Sequence, residues 1–207
     1  GIGTLTFYDE QTKSFAGLGH GICDIDTCEL LPLMKGDIVK ANINGVTKGV
    51  RGTPGELRGY FNSEDPIGNL TANISTGVYG FMEDKPSENE AIPVLMKQDV
   101  TTGSAKVLTT IFGEEPQYYD IEIVSVNYNE NYPTKNMVVS ITDPVLLEKT
   151  GGIVQGMSGS PIIKDGALVG AITHVFVNEP TRGYGIFAEN MLVNSRSISD
   201  REYKNAS

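Results

Sequence analysis

Gly156-Met157-Ser158-Gly159-Ser160-Pro161, running on into Ile162-Ile163-Lys164-Asp165-Gly166-Ala167-Leu168-Val169-Gly170-Ala171-Ile172-Thr173-His174, is the stretch that decides how this chain reads. It is a serine between two glycines, then an aliphatic strand, an Asp-Gly turn and a second aliphatic strand. Flanking glycines let the backbone turn sharply, so that the N–H groups of Gly156 and Ser158 can converge on one point. Such a pair forms an oxyanion hole, where loss of one donor costs on the order of 3 kcal/mol. The same letters also suit an ordinary Gly/Ser-rich turn. Ser158 is a better nucleophile candidate than Ser160, because it sits between the glycines and begins the turn.

A serine nucleophile needs a base to take its proton. The chain has only two histidines, His20 and His174. His20 lies in Gly19-His20-Gly21, directly after a hairpin-like stretch in which Gly3 to Tyr8 runs out and Ser14 to Gly19 returns. His174 ends the strand that follows the serine hairpin, where it either lines a cleft or sits as a half-buried strand residue.

Outward from these segments the chain reads as all-β. Its 24 glycines are spread evenly between short β-branched runs, a pattern of short strands and tight turns. Further strands are expected over Ile38 to Val46, Leu57 to Phe61, Ile67 to Ile74, Gly77 to Met82, Ile92 to Met96, Ala105 to Phe112, Tyr119 to Tyr128, Met137 to Thr142 and Gly183 to Ala188. The clusters Gly52-Thr53-Pro54-Gly55 and Asn62 to Pro66 read as turns. Tyr119 to Val126 alternates apolar and polar as a half-buried strand should. Two helices are expected, one turn over Pro144 to Lys149 with Asp143 as a candidate N-cap, and a short terminal helix over Glu189 to Ser197. The polar run Glu83 to Glu90 divides the chain into an N-terminal β-barrel, 1–84, carrying His20 and a C-terminal β-barrel, 85–207, carrying Ser158.

Charge and composition narrow the partners. With 26 acidic and 16 basic residues the formal charge is −10, which argues against nucleic acid and against an anionic membrane surface. No apolar run reaches the roughly 20 residues of a membrane-spanning helix. Cys23 and Cys28 are the only cysteines, so one chain cannot build a four-thiolate zinc site. They read as two free thiols or, in an oxidising compartment, as a disulfide across the Asp24 to Thr27 turn. Asp24, Asp26 and Glu29 lack the glycine and glutamate of an EF-hand loop and read as a solvated hairpin tip. No cofactor is expected. The sequons at Asn69, Asn73 and Asn205 carry no argument.

The hairpin leading to His20, the Gly-x-Ser-Gly-x-Pro turn and the closing Gly183-Tyr184-Gly185-Ile186-Phe187-Ala188 resemble the two-barrel chymotrypsin- and HtrA-like serine peptidases. Gly19-His20-Gly21-Ile22, Gly52-Thr53-Pro54-Gly55-Glu56-Leu57, Gly151 to Ile162 and Thr173-His174-Val175-Phe176-Val177-Asn178 are more closely similar to the stage IV sporulation protein B peptidase family. That resemblance implies a two-barrel fold with a short C-terminal helix, His20 as general base and Ser158 as nucleophile. It points to Asp143, in Ile141-Thr142-Asp143-Pro144, as the acid, although Asp143 also reads as a helix cap. Thr173 competes for the role of orienting His20. A substrate would lie as an extended strand along Ala171 to Val175, touching Ala171, Thr173 and His174. The family's members cleave themselves and a membrane-bound regulator, which releases processing of pro-sigma-K. They are exported, anchored between mother cell and forespore, and carry a PDZ domain ahead of the peptidase domain. This chain resembles the peptidase domain alone, with no direct membrane contact of its own. A reading from another class also stands, that of a catalytically silent two-barrel scaffold binding an extended peptide at its sheet edges.

Overall fold

The structure is a computed structural model that describes residues 1–205. The sequon at Asn205 is completed by residues that lie outside the described ones, as do the last two residues of the second expected barrel.

Five strands build the N-terminal lobe: β1 (Leu5–Asp9), β2 (Ser14–Gly17), β3 (Gly36–Thr47), β4 (Glu56–Ile74) and β5 (Gly77–Phe81). They pair antiparallel in the order β1-β2-β5-β4-β3 as an open half-barrel. Six more close a complete barrel: β6 (Gly103–Thr109), β7 (Gln117–Val126), β8 (Met137–Ile141), β9 (Pro161–Lys164), β10 (Ala167–Val175) and β11 (Arg182–Phe187). This is the two-barrel, chymotrypsin-like arrangement. Closure removes the exposed edges that an open sheet would leave.

The barrel forms because its strands alternate. Along β7 the side chains of Tyr119, Ile121 and Ile123 are buried while those of Asp120 and Glu122 face water. They meet Val107, Val139, Ile141, Ile162, Val169 and Ile172 in one core. Full burial of each such aliphatic side chain contributes about 1.5–3 kcal/mol.

Local turn chemistry misleads in two places. The Asn62 to Pro66 cluster does not end a strand, because β4 runs through it. Its partner β3 advances only from Ala41, opposite Phe61, to Val39, opposite Pro66, so residues 62–65 bulge outward. The strand expected over Ile92 to Met96 is only a parallel bridge between Val94 and Leu168, followed by a single 3-10 turn at Lys97–Asp99. Pro93 lends its carbonyl to Leu168 N but has no N–H to extend a ladder.

Helix α1 (Pro144–Thr150) and helix α2 (Ala188–Asn205) complete the chain. The second is twice the expected length. Met191 and Ile198 reach the apolar cluster under the N-terminal sheet with Ala16 and Tyr79. Ser195 and Ser14 share a buried hydrogen bond of 2.9 Å, and Asn194 Nδ2 donates to Thr76 Oγ1 at 3.0 Å. Tertiary packing therefore carries the helix through the polar sequence after Ser197. No helix among the described residues is long and apolar enough to cross a membrane.

Candidate active site

The serine turn joins the Gly151–Gly152 end of α1 to β9. Gly156 and Gly159 both hold positive φ, 99° and 89°, a region that L side chains avoid. A Cβ on Gly159 would also collide with Thr4 O and Leu18 N. The N-terminal hairpin grips this turn from outside. Thr4 N donates to Ser158 O at 2.9 Å, Thr4 Oγ1 to Gly156 O at 3.1 Å and Thr6 Oγ1 to Gly159 O at 2.8 Å. Three serine-turn carbonyls are thus occupied by the lobe that also carries His20.

The donors of the turn divide cleanly. Met157 N, Gly159 N and Ser160 N find backbone acceptors at Val154, Ile172 and Met157. Among the described residues no acceptor meets the N–H groups of Gly156 and Ser158. These are the two groups that the sequence assigns to an oxyanion hole. Both residues are partly exposed, so the two N–H groups beside the serine are open to an incoming acceptor.

Ser158 Oγ donates to Thr173 O at 3.0 Å. The next residue, His174, packs its ring against that of His20, with centroids 4.8 Å apart and planes tilted by 36°. Consecutive positions of β10 therefore hold the serine hydroxyl and the imidazole of His20. A β-bulge makes this possible. The β10/β11 register slips between Ile172, opposite Gly185, and His174, opposite Tyr184, leaving Thr173 as the extra residue. Gly19 packs on Thr173 and Ile186, which brings His20 to the same place.

His20 Nδ1 lies 2.9 Å from Gly21 O. A carbonyl only accepts, so Nδ1 carries the proton and Nε2 the lone pair. His174 is held at a pKa of about 4, first by burial and then by the charges of His20 and Lys135. His174 is nonetheless an exposed residue, so water screens part of that effect. At neutral pH it is an uncharged ring beside His20.

The other assigned residues fall elsewhere. Thr173 is buried, and its Oγ1 donates to Thr134 O at 2.8 Å. Its carbonyl, not its hydroxyl, reaches the serine. Ala171 is buried within the β9/β10/β11 ladder, so a substrate strand could meet only the continuation of β10 beyond it. Asp143 caps α1. Its Oδ1 accepts from Val145 N and Leu146 N at 2.9 and 3.0 Å, and its Oδ2 from Asp120 N at 3.2 Å. Burial opposes its ionisation, but those N–H groups and Lys106 prevail and hold the carboxyl below its ordinary value. The structure does not bring it to His20. The three hydrogen bonds of its carboxylate all go to backbone N–H groups of α1 and β7, and none to His20.

Cys23 and Cys28 are free and exposed. They flank a small hairpin in which Asp24 Oδ1 accepts from Asp26 N, Thr27 N and Thr27 Oγ1, the solvated tip expected of that cluster. No group of residues suited to a metal occurs among the described ones. The contact of His174 with His20 is not readable from the sequence, since it depends on the bulge at Thr173.

The family described as SpoIVB peptidase S55 matches residues 1–192. No curated protein matches the chain.

Proposed function

The chain belongs to the SpoIVB peptidase S55 family and is a serine peptidase, and from that premise we propose that Ser158 is its nucleophile and His20 its general base. One observation carries the assignment. Thr173 and His174, neighbours on β10, hold the hydroxyl of the one and the ring of the other.

In the resting state the Ser158 proton points to Thr173 O. Rotation about χ1 turns it toward Nε2 of His20, the nitrogen left unprotonated by the Gly21 contact. As Oγ attacks a peptide carbonyl, Nε2 takes the proton and the oxygen becomes an oxyanion held by the N–H groups of Gly156 and Ser158. Neutral His174 adds no positive charge beside the new imidazolium. His20 then passes the proton to the leaving amine, and water hydrolyses the acyl-enzyme by the same steps in reverse order. Asp143 acts in this reading as a helix cap, and the Gly21 carbonyl sets the tautomer of His20.

A protein substrate enters as an extended strand beside Thr173 to Val175. Its backbone N–H competes for Thr173 O, which frees the serine. The family supports a sporulation peptidase. The finer reading is an exported enzyme, working between mother cell and forespore beside a PDZ domain of its own full-length chain, that cleaves itself and a membrane-bound regulator to release pro-sigma-K processing.

The test uses a fluorophosphonate probe and a peptide substrate. Ser158 is expected to be labelled, and Ser158→Ala and His20→Ala to lose both labelling and hydrolysis. Hydrolysis by folded Ser158→Ala would refute the nucleophile. A folded wild-type protein that binds the peptide but neither cleaves it nor takes the label would favour the silent scaffold.

A further inference from the structure

The segment Gly49 to Leu57, the turn after β3 together with the first two residues of β4, belongs to the N-terminal lobe by sequence but lies along the serine loop of the other lobe. Gly49 N donates to Thr150 O and Gly52 N to Val177 O, each at 2.8 Å. At its end the segment forms a short parallel ladder with the residues just before the serine. Gln155 N donates to Gly55 O at 2.8 Å, Leu57 N donates to Gln155 O at 2.9 Å, and Glu56 bridges Gln155.

In a trans peptide the N–H points opposite to the C=O of the same plane. The plane of Gln155–Gly156 supplies the first oxyanion donor, Gly156 N, and its carbonyl is tied to Leu57 N. The plane of Met157–Ser158 supplies the second, Ser158 N, and its carbonyl is tied to Ser160 N at 2.9 Å. One donor is therefore aimed by the serine turn itself and the other by the opposite lobe. Side chains reinforce the first. The space above Gly156 is filled by Leu57, whose Cβ and Cδ1 lie 3.0 Å from where a Cβ would stand. Gly55 has no room for a side chain, since a Cβ there would strike Gly49 N and Thr47 O and come within 2.7 Å of Val154 Cγ1.

We propose that Gly55–Leu57 is a positioning rail, which holds the Gln155–Gly156 peptide in the orientation that makes Gly156 N an oxyanion donor. Gly55, Glu56 and Leu57 touch no substrate. They act through Gly156, so the energy of docking the two lobes is linked to catalysis. The inference rests on the assignment of Ser158 and Gly156 made above.

The rail predicts a loss confined to the tetrahedral state. Removal of one oxyanion donor lowers kcat by about 10²–10³-fold, and misaiming it lowers kcat by part of that range. In Gly55→Ala the added methyl group must displace the rail from Gln155. The expected result is a fall in kcat on the order of 10–100-fold, with KM within about threefold. Affinity for a peptide boronate, whose serine adduct places an oxygen in the hole, should fall by a similar factor. Affinity for the matching uncleavable peptide amide should not change. Glu56→Gly, whose exposed side chain leaves no cavity, loosens the same ladder and serves if Gly55→Ala does not fold. It should show the same pattern at smaller size. Circular dichroism and thermal melting identify which variants are folded. A folded Gly55→Ala or Glu56→Gly with unchanged kcat and unchanged boronate affinity overturns the rail, as does an equal loss of boronate and amide binding. Hydrolysis by Ser158→Ala in the same assay would instead refute the underlying assignment.

Discussion

Replacing Asp143 separates two roles that one carboxylate could play. As the cap of α1 it satisfies Val145 N and Leu146 N through Oδ1 and holds Asp120 N through Oδ2. An alanine at an N-cap costs about 0.5–2 kcal/mol, and the lost tie to Asp120 adds to it, so Asp143→Ala should destabilise by about 1–2 kcal/mol. For a chain of 207 residues that is a fall in Tm of roughly 2–8 °C. Asparagine caps helices as well as aspartate does. Asp143→Asn keeps the Oδ1 bonds, loses the acceptor facing Asp120 N, and should fall by less than half as much. The catalytic alternative predicts no rescue by asparagine. An asparagine in place of a triad carboxylate lowers kcat by about 10⁴-fold, because the histidine is held in the wrong tautomer. The assay is kcat and fluorophosphonate labelling rate for both variants at a temperature well below their melting points, with Tm measured on the same samples. We expect both rates within about threefold of wild type. At pH 7 the comparison is sound, because the contribution of a carboxyl with a depressed pKa is fully present above its unfolded value near 3.8 and disappears only as pH falls through the folded one. A folded Asp143→Asn that has lost three or more orders of magnitude in kcat would show that the carboxylate works on His20, and that the cap seen here is not its catalytic position.

Three other outcomes follow from the geometry. Thr173→Val should leave kcat within about threefold and cost on the order of 1 kcal/mol, since the lost hydroxyl serves Thr134 O; a large drop in kcat without a stability change would restore that hydroxyl to the site. His174 titrates near 4 in the folded chain against 6.5 unfolded, so as pH falls from 6.5 to 4 the unfolded chain binds the proton first and stability is lost. His174→Gln should therefore show a shallower fall of Tm across that window than wild type, and parallel curves would contradict the depressed pKa. Tyr79, raised to about 12 by burial and hydrogen-bonded to Thr76 Oγ1 at 2.8 Å, makes the fold lose stability as pH climbs from 10 toward 12; Tyr79→Phe should remove part of that alkaline loss at a cost of about 1 kcal/mol at neutral pH, and an unchanged alkaline transition would count against it.

Features whose physics is local were legible in the amino-acid order. The alternation of Tyr119 to Val126 dictates a half-buried strand, Asp143-Pro144 dictates a capped helix start, and Gly-Met-Ser-Gly dictates a sharp turn with the serine at its head. Each of these depends on the side-chain period or backbone freedom of a few neighbours. Tertiary structure decided the rest. Residues 62–65 look like a strand end until β3 is seen to run past them. The second helix continues beyond Ser197 because the N-terminal sheet receives its buried face. Two histidines 154 positions apart meet because one bulge turns His174 toward His20. Gly52 to Gly55 reads as a turn, and its docking on Gln155 comes only with the ladder that the packed lobes form. Partners distant in sequence leave no periodic trace, so the meeting of groups from two lobes is written only in the packed molecule.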